Sequence, residues 1–292
     1  MSGCAAVRRI LRVGAACVVA SAVGIAAARA VEDDSSPYAP TPEDVVKVML
    51  KAAAVKAGDR VVDLGSGDGR IVIAAAKQFG VRKAVGVELD AHLVDMARQN
   101  AAKAGVADRV EFHVGDLFAY DLAAATVITV YLLPEVNLKL RPKLLDLKPG
   151  TRVVAHQFGM GEWQPDRSWK ALADNDPRGP ANVYLWVVPA KAGGVWRWQE
   201  GGRRFELGIA QTFQKIQPVV KMDGAVQRVE APDLTGERIF FVVVRDDGPH
   251  NYEGRVAGDT MAGTMMGPDG ASVPWKAQRV PAQTSALPVS SR

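Results

Sequence analysis

Beyond residue 30 the chain contains no cysteine, because Cys4 and Cys17 both lie in its first segment. The remainder therefore holds no disulfide, no thiol nucleophile and no cysteine metal site. Histidine is also scarce. His92, His113, His156 and His250 are dispersed, show no metal-ligand spacing, and read as structural or solvated residues. Nor is there a charge excess to hold a polyanion. The formal net charge is +4, and residues 1–30 carry Arg8, Arg9, Arg12 and Arg29 with no acid, so the rest is neutral overall. A global phosphate-binding field is thus unsupported, and no nucleic-acid partner is expected. With 292 residues, 48% of them hydrophobic and 23% charged, the chain is neither disordered nor collagenous. It is long enough for one large domain or two small ones.

Residues 1–30 read as a signal peptide or membrane anchor. Arg8, Arg9 and Arg12 form a positive end, and Val13 to Ala28 is an uncharged apolar run. Ala28-Arg29-Ala30 has the A-x-A cleavage pattern, followed by acids. Either reading places the following domain outside the cytoplasm, periplasmic or anchored, with membrane association through this segment. A cytoplasmic location is the alternative.

Residues 31–190 read as one α/β domain. Thr41 can cap a helix with Pro42 in its first turn. From Arg60 onward, strand-like and helix-like stretches alternate. Strands are expected at Arg60–Leu64, Ala84–Leu89, Val110–Val114, Thr126–Leu133 and Arg152–Phe158. Helices are expected at Arg70–Phe79, from Asp90 to Ala104, and at Val136–Leu147. Trp169–Ala173 and Asn182–Val188 complete a doubly wound, mostly parallel seven-stranded sheet. After Lys191-Ala192-Gly193-Gly194 the texture changes. Seven strand-like runs fall within residues 195–280, separated by Gly, Asp and Pro, without a helical period. They indicate a small antiparallel β domain, a meander or barrel. Residues 281–292 read as a disordered tail.

The strongest chemical signal is Val61-Val62-Asp63-Leu64-Gly65-Ser66-Gly67-Asp68-Gly69-Arg70, a buried strand running into a Gly-rich turn and a helix. This is the ligand-binding corner of a doubly wound sheet. A dinucleotide fingerprint fits poorly, because its third glycine comes one residue early and Asp63 and Asp68 would repel pyrophosphate. S-adenosylmethionine carries a sulfonium and an ammonium group, so the acids suit it. A dinucleotide and a degenerate pocket remain the alternatives. Glu88 ends the second strand, 25 residues after Asp63, where an acid can accept hydrogen bonds from both ribose hydroxyls. Asp116 ends the third strand and can accept from the adenine amino group. Leu117 and Phe118 can pack the ring, and Leu89 borders the ribose acid. The cofactor-binding set is therefore Asp63, Gly65, Ser66, Gly67, Asp68, Gly69, Glu88, Leu89, Asp116 and Leu117.

The D-x-G-x-G-x-G loop with its later acids resembles the class I, Rossmann-type methyltransferases. Tyr38-Ala39-Pro40-Thr41-Pro42, Asp63–Ile73, Gly86–Leu89, Gly115–Phe118 and Tyr131-Leu132-Leu133-Pro134-Glu135 are similar to a narrower group. These are the lysine methyltransferases of mitochondrial inner-membrane proteins, which modify the ATP synthase c subunit and the adenine nucleotide translocase. The likeness covers residues 38–163. Two departures fall on it: Phe118 stands where that group has Trp, and His156-Gln157-Phe158-Gly159 replaces its Pro-rich turn. The resemblance implies methyl transfer to a protein lysine; a small-molecule or lipid head group is the alternative acceptor. A non-enzymatic exported binding module with a relic pocket is a further alternative. No N-P-P-[YF] element follows the fourth strand, which argues against amino methylation of adenine or glutamine. Tyr38, Tyr131 and Pro134 are the candidates for an acceptor channel, with Glu135 at its mouth. Tyr131 also reads as a core strand aromatic, and Glu135 as a first-turn helix acid.

Overall fold

The computed structural model describes residues 39–172 and 179–281. The expected signal or anchor segment, Tyr38, and the tail from residue 282 lie outside the described residues. Among those described, no helix is long and apolar enough to cross a membrane.

Helix α1 (Glu43–Ala52) has acids in its first turn and Lys51 in its last, matching the helix dipole. Its Val45, Val46, Met49 and Leu50 form the buried stripe. Thr41 does not cap this helix. Pro42 occupies the cap position without a side-chain bond, and the Thr41 hydroxyl pairs with His156 Nδ1 at 3.1 Å instead. A tertiary partner has outcompeted the local one.

Strand β1 (Arg60–Leu64) leads to α2 (Arg70–Phe79), β2 (Lys83–Glu88), α3 (Ala91–Lys103), β3 (Val110–Val114) and β4 (Val127–Val130). Helix α4 (Pro134–Leu145), β5 (Arg152–His156), β6 (Arg167–Ala171) and β7 (Ala181–Val187) follow. These strands form one sheet in the order β3-β2-β1-β4-β5-β7-β6. β1 to β5 pair in parallel, and β7 runs antiparallel to both β5 and β6. The order reverses between β1 and β4, which opens a crevice at the carboxyl ends of the strands.

The sheet faces are covered unequally. On one side α1, α2 and α3 pack through Val46, Met49, Val72, Ala75, Val94 and Ala97. The other side has α4, contributing Val136, Leu140 and Leu144, together with Leu122, Met160 and Trp163.

The second sheet is a closed antiparallel meander. It contains β8 (Gly194–Glu200), β9 (Arg203–Thr212), β10 (Lys215–Met222), β11 (Ala225–Thr235), β12 (Arg238–Arg245), β13 (Gly248–Ala257), β14 (Thr260–Met266) and β15 (Ser272–Arg279). Each strand pairs with the next, and β15 closes on β8. The interior is filled by side chains including Trp196, Trp198, Phe241, Tyr252 and Trp275. Strand β10 is not among the runs expected from sequence. Pro218 argues against a strand, yet it lies outside the stretch paired with β11, which begins at Val220, so no ladder bond is lost on that side.

Candidate active site

The site grows from the end of β1. Gly65, Gly67 and Gly69 have φ of +75°, +51° and +81°, a region that residues with a Cβ avoid. The turn is also compressed. A Cβ on Gly65 would lie 2.8 Å from Leu132 Cδ2, and one on Gly69 would lie 2.7 Å from the Phe112 ring. Gly86 in β2 has no side chain for a related reason, because Ser66 Oγ occupies that space. The amides of Gly65 and Ser66 both donate to the Val87 carbonyl, at 2.9 and 3.1 Å, fastening the loop to β2.

The acids converge on this loop by different routes. Glu88 closes the turn: Oε2 accepts from the Gly67 amide at 2.9 Å, and Oε1 accepts from the amides of Leu89 and Asp90 at 2.8 and 3.1 Å. Asp90 caps α3 through the His92 amide, as its sequence position suggests. Asp116 follows β3, whose Val114 lies in register with Glu88, so the two acids sit on neighbouring strand ends. The Asp116 carboxylate accepts from the Phe118 amide at 2.7 Å. Leu117 and Phe118 are half-buried beside it against the core, while Leu89 is exposed.

Asp63 is the most unusual group. It is buried and accepts from the Thr129 hydroxyl at 2.6 Å. Burial raises its pKa from 3.8 to about 7; the Thr129 bond opposes this, and the negative charges of Glu88 and Asp68 add to it. Sequence reasoning does not select Thr129. Its one signal is a polar residue inside the buried Val127–Val130 run, in register with Asp63. Asp68 is differently occupied: both its oxygens bind the Arg70 guanidinium, at 2.9 and 2.7 Å. Arg70 Nη1 in turn donates to the Thr41 carbonyl at 2.9 Å. Asp68 is thus paired with a neighbouring cation, although its charge still reaches Asp63.

The residues present fit S-adenosylmethionine on the structure's own terms. The glycines keep the turn packed tightly on Leu132 and Phe112, Glu88 lies at its edge on the Gly67 amide, and an acid with a raised pKa lies at its base. A cation there restores the ionised form of Asp63.

On the other side of the crevice, Tyr131 follows β4 and is half-buried. Its ring centroid lies 3.9 Å from that of His156 and 6.3 Å from that of Phe158. His156, the last residue of β5, is buried, and sequence reasoning does not select it as a site residue. Gln157 next to it has φ +66°, and its amide and Oε1 pair with Asn182 at 2.7 and 3.0 Å. Pro134 and Glu135 open α4, where Glu135 is exposed. Among the described residues no cluster of three or more His, Cys, Asp or Glu forms a metal site.

Residues 63–167 match the family model of the ANTKMT methyltransferase domain. A protein-lysine N-methyltransferase of Saccharolobus islandicus (strain REY15A) is 48% identical over 153 residues, spanning 52% of this chain and 93% of that protein. The adenine nucleotide translocase lysine N-methyltransferase of Mus musculus is 42% identical over 142 residues, 46% of this chain and 60% of that one. Among solved structures, an RNA methyltransferase from Salinibacter ruber in complex with S-adenosyl-L-homocysteine is 54% identical. It covers 52% of this chain and 95% of its own, with a TM-score of 0.48. The family model ends before β8, so the barrel lies beyond it. The chain belongs to the family of the protein-lysine N-methyltransferases and is an S-adenosylmethionine-dependent methyltransferase, with the match to the ANTKMT methyltransferase domain at residues 63–167.

Proposed function

We propose that the methyl acceptor is the side-chain amine of a protein lysine, presented along the ring face made by Tyr131, His156 and Phe158. The observation that carries this reading is the adjacency of that face to the cofactor loop: Leu132, next to Tyr131, is the side chain packed against Gly65. The names of the relatives, protein-lysine and adenine nucleotide translocase lysine N-methyltransferases, support it.

In this reading Glu88 holds the ribose hydroxyls, and Asp116 and Leu117 hold the adenine, with Leu89 at the rim. Asp63 and the turn Gly65-Ser66-Gly67-Asp68-Gly69 hold the amino-acid end. S-adenosylmethionine supplies the methyl group, which moves in line from sulfur to nitrogen while the sulfur keeps the bonding pair. The protein's task is alignment, and orientation of this kind is worth about 7–11 kcal/mol. The lysine must also be neutral. Its free pKa near 10.4 leaves about a thousandth neutral near pH 7.4, a cost of roughly 4 kcal/mol. Rings that exclude water lower that pKa by desolvation, so the half-buried Tyr131 face favours the reactive form. Glu135 and Pro134 sit at the start of α4, where an acceptor peptide passes.

The test is transfer of labelled methyl groups to poly-L-lysine and to cell-envelope proteins, followed by amino-acid analysis. Methylated lysine supports the proposal. Label confined to a lipid extract points to a different acceptor. The arginines of residues 1–30 support export of the domain or its anchoring to a membrane. A fusion of residues 1–36 to a reporter active only after export tests that part, and a stable but inactive fusion counts against it.

A further inference from the structure

The acceptor-side wall has a continuation that leaves the methyltransferase sheet. The turn after β5 is held from α4: Asn137 Nδ2 reaches the carbonyls of Phe158 and Gly159 at 3.4 and 3.3 Å, and Arg141 Nη1 donates to Met160 O at 3.0 Å. The same Arg141 guanidinium lies over the ring of Phe213, 5.6 Å from its centroid. Phe213 belongs to the barrel, at the tip of the β9–β10 hairpin. Its ring stacks on Trp163 at 6.3 Å and 26°, and Trp163 is fully buried. Beside it, Gln214 Nε2 donates to Gln164 O at 2.7 Å.

The hairpin is built against local preference. Thr212 pairs with Lys215, so Phe213 and Gln214 form a two-residue turn, and Phe213 takes φ +53°. Such turns place glycine, asparagine or aspartate at the first central position when φ is positive there. An aromatic in that position is strained, and strain of this kind persists where surrounding contacts over-determine it. Here those contacts are Trp163, Arg141 and Gln211, whose Nε2 donates to Phe213 O at 2.7 Å. Gln157, at the other end of the chain of contacts, is also a non-glycine residue with positive φ. Two strained residues therefore bracket one connected wall, running from the barrel through Arg141 to Phe158 and Tyr131.

We propose that the β9–β10 hairpin of the barrel is a positioning element for the methyl-acceptor wall, with Phe213 and Arg141 as the positioning residues. The hairpin thereby extends the cover that α4 gives this sheet face, and it sets the placement of Phe158 against Tyr131. The inference rests on the reading of the Tyr131 side as the acceptor side.

Two full-length variants test it. Phe213→Gly removes the ring while leaving a residue that suits the turn, so the hairpin itself is not penalised. Arg141→Met keeps an apolar stem and removes the bond to Met160 O. Amide hydrogen exchange across residues 157–163 is expected to rise about tenfold in either variant, while the loop at 63–69 keeps its protection. The dissociation constant for S-adenosylmethionine is expected to stay within about twofold, and Phe213→Tyr to restore wild-type exchange. On poly-L-lysine, the turnover rate at saturating S-adenosylmethionine is expected to fall about tenfold in the same variants. Unchanged exchange across 157–163 in Phe213→Gly overturns the proposal. So does exchange that rises equally throughout the sheet, which marks general destabilisation. If wild-type protein does not methylate poly-L-lysine, the acceptor assignment fails, and the exchange measurement still decides the role of the hairpin.

Discussion

Replacing Asp63 with asparagine sets stability against binding. Asp63 is 2% exposed, and its carboxyl titrates near 7 in the folded chain against 3.8 ordinarily. Its folded pKa is raised, so between those two values folding takes up a proton. Stability therefore falls as pH rises through that window and levels off above it. The separation corresponds to about 4 kcal/mol over the whole window. The side chain of the Asp63→Asn variant keeps the shape and can still accept from Thr129, but carries no charge to bury. At pH 8 this variant is expected to be more stable than wild type by about 2–4 kcal/mol, and the gap should shrink to under about 1 kcal/mol near pH 4. Cofactor affinity moves the other way. The ionised carboxylate attracts the cationic ligand, so the variant should bind S-adenosylmethionine about tenfold or more weakly at pH 8. Wild-type affinity should fall as pH drops below 7, with proton release on binding. Urea denaturation from pH 4 to 8 reads the first effect, and calorimetry in buffers of different ionisation enthalpy reads the second. A variant less stable than wild type at pH 8, or a gap independent of pH, would refute the reasoning.

Further predictions concern the loop, the wall and the barrel. Gly69→Ala places a Cβ against the Phe112 ring at φ +81°, and should cost about 2–4 kcal/mol of stability by thermal denaturation, together with cofactor affinity. Tyr131→Ala should lower methyl transfer about tenfold or more while leaving the S-adenosylmethionine dissociation constant within about twofold, since its assigned role is on the acceptor side alone. In the barrel, Glu200 accepts from Arg245 at 2.8 Å and from the Tyr252 hydroxyl at 2.9 Å, with its side chain 14% exposed. Glu200→Ala takes the carboxylate from a half-buried arginine, and should cost about 2–4 kcal/mol in chemical denaturation.

The cofactor loop is readable from sequence because its chemistry and its backbone demands coincide. Three glycines with positive φ, an acid before them and acids at the next two strand ends form a linear pattern that survives without coordinates. The parallel strands are readable as buried β-branched runs, with errors at their ends. Thr126–Leu133 reads as one strand, whereas β4 stops at Val130 and Pro134 begins the next helix two residues before Val136. Proline at a first helical position is ordinary, but the apolar run through Leu133 hides it. The hairpin carrying Phe213 gives no signal, because its turn contains neither glycine nor asparagine. Pro218 then obscures the strand that holds it. His156 looks like a lone histidine in sequence; only the fold brings it beside Thr41 and Tyr131. Contacts between distant segments, such as Thr41 with His156 or Phe213 with Trp163, have no periodicity and no spacing to betray them.

In the proposed reading the β1 turn, with Glu88 and Asp116, grips the nucleoside of the methyl donor. A crystal structure of this chain with S-adenosyl-L-homocysteine tests it most directly. The expected result is ribose hydroxyls on the Glu88 carboxylate, adenine beside Asp116 and Leu117, and the amino-acid end over Gly65–Gly67. A nucleoside bound elsewhere, or Glu88 still closed onto the Gly67 amide with no contact to ribose, would contradict it.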